Sequence, residues 1–446
     1  MSFPKNFVWG AASAAYQIEG AVAEDGRGPT VWDTFSHTPG KTFEGQTGDI
    51  ACDSYHRFAD DLAALVALGV RHYRFGIGWT RIFPDGRTRN EQGFAYYDRV
   101  VDLLLQNGIT PWITLFHWDT PQALEDAGGW QNRETGELLA QFAGVVATHF
   151  RGRVRHYFTL NEPQCFIGLG YEAGWQAPGR MLTGEPLLSC WHNAMRAHGM
   201  MVQAVRAADP DAQIGLASCG LVCIPERACE ADIEAARAAM FSFGQRPDLT
   251  LFSHNAFLDP VLTGRYPEHP FFSSPMITAE DLALIHQPPD FIGLNFYNAY
   301  VVRAGAKGPE PVPFPRGYPR TAIRWPITPN MMYFGTKFLY ERYGLPIYIT
   351  ENGLSCNDKP YLDGIVHDAD RIDFLQRYLR EYRRAGEEGV DIRGYFHWSL
   401  TDNFEWSNGY EDRFGLFYID YETLARLPKD SARWYRTVVE QNGETL

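Results

Sequence analysis

The chain has 446 residues and carries 54 acidic against 40 basic side chains, a net charge of −14. That surplus excludes nucleic acid as a partner, because nothing here would displace counterions from a phosphate backbone. Charged residues at 21% and apolar ones at 45% describe a water-soluble folded chain, and no run approaches the roughly 20 apolar residues that cross a bilayer.

In chain order, the N-terminal ten residues lack the apolar stretch of a secretory signal, so a cytoplasmic protein is expected. A first strand is predicted at 7–11. An amphipathic helix follows over 55–68, with Phe58, Leu62, Leu65, Val66 and Leu68 on one face and Gly69 as its stop. Strand 72–77 leads to a helix over 96–106 that ends at Asn107-Gly108. Strands at 109–116 and 154–160 come next, then a helix over 187–208 and a strand at 213–217. Strand 291–294, helix 330–343, strand 346–350, helix 370–384 and strand 392–396 complete the series.

Eight strands alternating with helices require parallel strands joined by right-handed crossovers. The strand endings choose between a closed barrel and an open sheet. Arg74 lies in the second strand, the third ends at His117-Trp118-Asp119, and the fourth at Asn161-Glu162. The sixth ends at Asn295-Phe296-Tyr297, the seventh at Glu351-Asn352 and the eighth at His397-Trp398. Polar and aromatic groups at one end of many strands mark a barrel enzyme, whereas an open sheet gathers its ligands at one switch point. The expected architecture is therefore α/β, a single (β/α)8 TIM barrel over 1–446 with inserted βα loops.

Other chemistries find no footing. Gly168, Gly170 and Gly174 have the wrong spacing for a dinucleotide loop, and no phosphate loop or nucleophile elbow is present. Seven cysteines form no paired framework. The cluster Cys219, Cys223 and Cys229 fits no zinc spacing, so reduced thiols, no metal and no cofactor are expected.

Two glutamates then stand out. Glu162 and Glu351 each follow a β-rich apolar run, where a carboxylate is expensive to desolvate. Facing carboxylates are the equipment for glycosidic cleavage, one as nucleophile and one as acid. Side by side, one ionises and the other is held protonated. Arg74 and Tyr297 can supply a cation and a hydroxyl to a nucleophile, which points to Glu351. Asn161 can offer its amide to a neighbouring acid, which points to Glu162.

The chain also resembles the family 1 glycoside hydrolases, the β-glucosidase family, from about Phe3 to Trp434-Tyr435. The resemblance rests on residues 7–20, Thr-Leu-Phe-His-Trp-Asp at 114–119, Asn-Glu-Pro at 161–163, Ile-Thr-Glu-Asn-Gly at 349–353 and His-Trp-Ser-Leu-Thr-Asp-Asn-Phe-Glu-Trp at 397–406. It implies Glu162 as acid/base and Glu351 as nucleophile, a small β-glycoside as substrate, and Gln17, His117, Asn161, Asn295, Tyr297, Trp398, Glu405 and Trp406 around the sugar. Trp118, Trp325 and Phe414 join as further wall residues, with Cys165 toward the entrance. Glutamine and glutamate side chains suit vicinal hydroxyls, equatorial or axial at O4, and a tryptophan face suits the C–H face of a β-sugar.

One departure is visible. Arg-Phe-Gly-Ile-Gly-Trp at 74–79 has glycines where the family usually has serines, which is expected to loosen the strand near Arg74. Two alternatives remain: a 6-phospho-β-glucosidase of the same family, disfavoured because Glu405 places an anion at the O4 and O6 side, and a sugar-binding barrel without hydrolysis, disfavoured because both glutamates are present.

Overall fold

In the computed structural model, residues 2–244, 246 and 248–446 are described. Eight strands form one closed barrel: β1 (Val8–Ala12), β2 (His72–Gly76), β3 (Thr110–Phe116), β4 (His156–Asn161), β5 (Gln213–Ser218), β6 (Phe291–Asn295), β7 (Ile347–Asn352) and β8 (Ile392–Trp398). Every neighbouring pair is parallel, and β1 closes the ring between β2 and β8. All eight predicted strands are there. This is the (β/α)8 TIM barrel.

One principal helix follows each strand. They are α1 (Ser54–Leu68), α2 (Glu91–Gln106), α3 (Arg133–Phe150), α4 (Gly184–Ala208), α5 (His254–Thr263), α6 (Met331–Tyr343), α7 (Ala369–Glu387) and α8 (Asp430–Glu440). Helix α2 begins five residues before its expected start because the Asn90 side chain caps it, accepting from the Gln92 N–H at 3.3 Å. Helix α3 was not among the predicted helices. Asn132 caps it in the same way, and Gly136 lets it approach α4 closely: a Cβ there would stand 3.2 Å from Ala197 Cβ. Among the described residues, no helix is long and apolar enough to cross a membrane.

The lower barrel is plugged. Trp112, Phe158, Phe291 and Phe396 pack inside the ring, with the Trp112 ring 5.2 Å from Phe396 and 5.8 Å from Phe291. Gly10 and Gly215 make the room, since a Cβ at either would lie within 2.5 Å of a phenylalanine ring. Burying one such ring is worth about 1.5–3 kcal/mol, so the plug leaves a ligand only the carboxyl ends of the strands.

The chain termini meet beneath the plug. Asn442 accepts from the Phe3 N–H at 3.1 Å and from Trp9 Nε1 at 3.0 Å, while Tyr435 Oη donates to the Gly10 carbonyl at 2.9 Å. The β8 end is fixed by a buried ionic cluster. Asp402 accepts from Lys429 Nζ and Arg413 Nη1, each at 2.7 Å, and Lys429 also reaches Asp358 at 2.6 Å. Removing one partner of such a cluster costs about 3–5 kcal/mol, so Asp402 holds the loop that carries Glu405 and Trp406.

Candidate active site

At the top of the barrel lies a cavity of about 450 Å3. Twelve of the fifteen residues singled out from the sequence line it: His117, Trp118, Glu162, Cys165, Asn295, Tyr297, Trp325, Glu351, Trp398, Glu405, Trp406 and Phe414. The other three, Gln17, Arg74 and Asn161, are fully buried beneath its wall.

Backbone irregularity aims the two glutamates. On β7 the register with β6 slips between Ile349 and Glu351, and on β4 the register with β5 slips between Phe158 and Asn161. Such bulges redirect the side chains that follow. Glu162 adopts a φ of +50°, as do Trp118 at +77° and Trp406 at +52°. Left-handed backbone costs a non-glycine residue on the order of 1–3 kcal/mol, and it persists where the surrounding structure over-determines it. Three such residues share this one cavity.

The two carboxylates have unlike surroundings. Glu351 Oε1 accepts from Arg74 Nη1 at 2.7 Å and Oε2 from the Tyr297 hydroxyl at 2.8 Å. Glu162 Oε1 accepts from Asn295 Nδ2 at 2.6 Å, and the Cys165 thiol also bonds to its carboxylate. Burial, and then the charge of Glu351, push the Glu162 acid up to about 7. Burial raises Glu351 too, but Arg74 and Tyr297 draw it back, so Glu351 ionises first and Glu162 keeps its proton.

Asn161 serves a different partner from the one expected. Its Oδ1 accepts from Arg74 Nη2 at 2.6 Å and its Nδ2 faces His117 Nε2 at 3.0 Å. The amide on Glu162 comes from Asn295, whose own Oδ1 is fixed by the Thr350 hydroxyl at 2.6 Å. The peptide turn at Glu162 swings its side chain away from the preceding residue, which is why adjacency misleads.

Gly76, which ends β2, and Gly78 just beyond it do not loosen Arg74. Its guanidinium bonds to Thr114 Oγ1, the Thr350 carbonyl, Glu351 and Asn161, and lies 5.0 Å over the Phe158 ring. Gly76 and Gly78 are tight spots instead: a Cβ would come 3.1 Å from Ala15 N and 3.2 Å from the Tyr97 hydroxyl.

The far wall is aromatic and acidic. Trp406 lies 4.4 Å from Trp118, and Trp325 lies 5.1 Å from Tyr297 and 6.1 Å from Phe414 between ring centroids. Glu405 accepts from Gln17 Nε2 at 3.4 Å. Burial, then the charges of Asp412, Glu351 and Glu162, raise it well above the usual carboxylate range. The charge expected of Glu405 from the sequence is thus disfavoured by burial and by these neighbours. His117 is held neutral by burial and by Arg74. Gln17 Oε1 and His117 Nδ1 are buried atoms without a protein partner among the described residues.

The cavity mouth escaped the sequence reading. Leu169, Trp175, Leu249, Phe252 and Tyr300 line it from segments inserted between the barrel strands that carry neither periodicity nor motif. Leu169 stands on Gln164–Glu172, a π-helical stretch, a winding that gathers at functional sites. The remaining histidines have ordinary duties: His149 meets Asp98, His198 meets Thr159, His72 meets Trp112, and His156 stacks on the Trp112 ring.

The chain matches the model of glycosyl hydrolase family 1 over residues 1–444. It is 42% identical to β-glucosidase A of Thermotoga maritima over 448 residues, covering 99% of this chain and 98% of that protein. It is 44% identical to a bifunctional β-D-glucosidase/β-D-fucosidase of Bifidobacterium breve over 470 residues, covering 98% of each. The solved structure of the Thermotoga maritima β-glucosidase in complex with glucoimidazole superposes with a TM-score of 0.90 at 40% identity, covering 99% of both chains.

Proposed function

Because the chain belongs to glycosyl hydrolase family 1 and is a β-glucosidase, we propose that residues 1–446 act as one catalytic unit that removes terminal non-reducing β-D-glucosyl residues with retention of configuration. The substrates are cellobiose, β-linked oligosaccharides and aryl or alkyl β-glucosides. The seven unpaired cysteines suit a reducing compartment, and we place the reaction in the cytoplasm.

The observation that carries this reading is the asymmetry of the two glutamates. Glu351, charged and held by Arg74 and Tyr297, is oriented as the nucleophile. Glu162, protonated near neutrality, gives its proton to the leaving oxygen as the glycosyl–Glu351 ester forms. The resulting Glu162 carboxylate then takes a proton from the water that hydrolyses this ester. Gln17, His117, Asn295, Tyr297 and Glu405 bind the sugar hydroxyls. Gln17 Oε1 and His117 Nδ1 find there the partners that the protein does not give them. Asn161 acts from beneath, holding His117 and Arg74. Trp398 and Trp406 supply the apolar face, and Trp118, Trp325 and Phe414 shape the wall toward the aglycone. Proton NMR of the first product tests the stereochemistry. β-Glucose is expected to appear before mutarotation, and α-glucose first would end the double-displacement reading.

A phosphorylated sugar fits less well. Among the described residues, Arg246 is the only lysine or arginine lining the cavity, and Asp248 already engages it at 2.5 Å. Three carboxyl groups share the space, and Asp412 stands near Glu405. A phosphate would find no cation there to repay its desolvation.

The pH profile follows from the direction of the shift. Glu162 must be protonated at the start of the cycle, so its raised pKa keeps the acid form present up to about pH 7. Values of kcat/KM are expected to fall on the alkaline side of about pH 7 as that proton is lost, and on the acid side as Glu351 gains one. A profile measured on p-nitrophenyl β-D-glucoside that stays level from about pH 6 to 8 would contradict the assignment.

A further inference from the structure

Beside Glu162 lies a group of side chains that the hydrolytic cycle leaves unused. Cys165 stands in the first turn of the π-helical stretch, and Cys219 directly follows β5. Their Sγ atoms are 3.6 Å apart. A Glu162 carboxylate oxygen and the two sulfurs lie within 4.8 Å of one another, all three residues buried yet lining the cavity.

We propose that Glu162, Cys165 and Cys219 form a binding site for a thiophilic divalent cation of the Zn2+ and Cd2+ type, and that its occupation switches hydrolysis off.

Two thiolates on one tetrahedral Zn2+, each at about 2.3 Å, stand about 3.8 Å apart, close to the separation found here. A carboxylate oxygen is an ordinary third ligand, and the cavity provides both an entry path and room for water in the fourth position. The two sulfurs select against Mg2+ and Ca2+, which take oxygen shells of six or more. On binding, each S–H bond breaks heterolytically. Its proton passes to water, its electron pair forms the sulfur–metal bond, and nothing is oxidised.

A disulfide is the competing use of this pair, and it requires thiolate attack in the absence of a metal. The sulfurs would have to close from 3.6 Å to about 2.05 Å, and the step consumes an oxidant that hydrolysis does not supply. A cation needs neither, because coordination itself deprotonates the thiol. The spacing of 165 and 219 matches no zinc motif; β4 and β5 bring the two together because they are neighbours in the barrel.

A cation held by Glu162 occupies the carboxyl group that protonates the leaving oxygen. The inhibitory half of the proposal rests on that role of Glu162; the binding half does not. Wild type titrated with CdCl2 is expected to develop the ultraviolet thiolate-to-cadmium charge-transfer band, saturating at one equivalent. With ZnCl2, hydrolysis of p-nitrophenyl β-D-glucoside is expected to fall about 100-fold or more at saturation and to return with EDTA. Cys219→Ala, which removes no group of the proposed reaction, is expected to lose the band and to need at least about tenfold more Zn2+ for half-inhibition. Cys165→Ala serves as the second variant, with the thermal midpoint of each confirming a folded protein. No band in wild type, or the same Zn2+ sensitivity in folded Cys219→Ala, overturns the site. A cysteine-dependent band with unimpaired hydrolysis would leave the two sulfur ligands standing and overturn the inhibitory half of the proposal.

Discussion

Glu351→Gly is expected to lose at least about 10^4-fold in kcat on p-nitrophenyl β-D-glucoside, because removing a covalent nucleophile costs nearly as much as removing the whole machinery. The glycine also empties the space in front of Arg74 and Tyr297, whose donors lie 2.7 and 2.8 Å from the lost oxygens. A small anion fits that space and inherits both hydrogen bonds. Azide or formate is therefore expected to restore turnover of the aryl glucoside, with azide attacking the anomeric carbon from the face that Glu351 would have used. Direct displacement by azide inverts, so the product is α-glucosyl azide, identifiable by NMR. Retained hydrolysis in the variant would mean that another group forms the bond. A β-configured azide would mean that the nucleophile stands on the opposite face.

Glu162→Gln separates the two half-reactions. On cellobiose, whose leaving group needs a proton, a loss of about 10^2–10^4-fold in kcat/KM is expected. With 2,4-dinitrophenyl β-D-glucoside the leaving group departs unprotonated, so the first step survives and the second, now without a base, becomes limiting. Stopped-flow traces should show a burst of dinitrophenolate followed by slow turnover, and a lowered KM. Azide should accelerate that turnover and yield β-glucosyl azide, the opposite anomer from the Glu351 variant. The alkaline limb of the pH profile should vanish with the carboxyl group. Equal losses on both substrates with no burst would point to disturbed sugar binding, not to a missing proton donor. The two variants thus predict opposite anomers from one cavity.

The barrel was legible because its strands are β-branched and aromatic runs separated by glycine and polar breaks, and each of the eight predicted runs overlaps an observed strand. The two glutamates were legible because strand ends collect function in this architecture. Harder to read was anything that depends on a change of direction. Asn295, not Asn161, meets Glu162, since bulges and a left-handed turn aim the side chains and leave no compositional trace. The upward shift of the Glu405 acid depends on burial and then on Asp412, Glu351 and Glu162, two of them far away in sequence. Helix α3 ends at Arg151-Gly152 among alternating arginines that read as a solvated edge, and its capping Asn132 sits in a polar run. Trp175 belongs to a loop and Tyr300 to a short strand outside the barrel, and neither carries a motif.

The seam that completes the barrel sets a schedule for its synthesis. Gly10 of β1 pairs with Phe396 of β8, residues 386 positions apart, and the Tyr435 and Asn442 contacts that lock this seam come later still. At roughly 5–20 residues per second, β1 leaves the ribosome some 20–80 s before its partner exists. Through that interval the β1 edge presents unpaired N–H and C=O groups beside Phe7, Val8 and Trp9, a pattern prone to pairing with other chains. Joining the ends and opening the chain in a surface loop would shorten the wait. A circular permutant that begins near α7 would make β8 and β1 neighbours in time as they are in space, and it would form soluble protein at temperatures where the natural order aggregates.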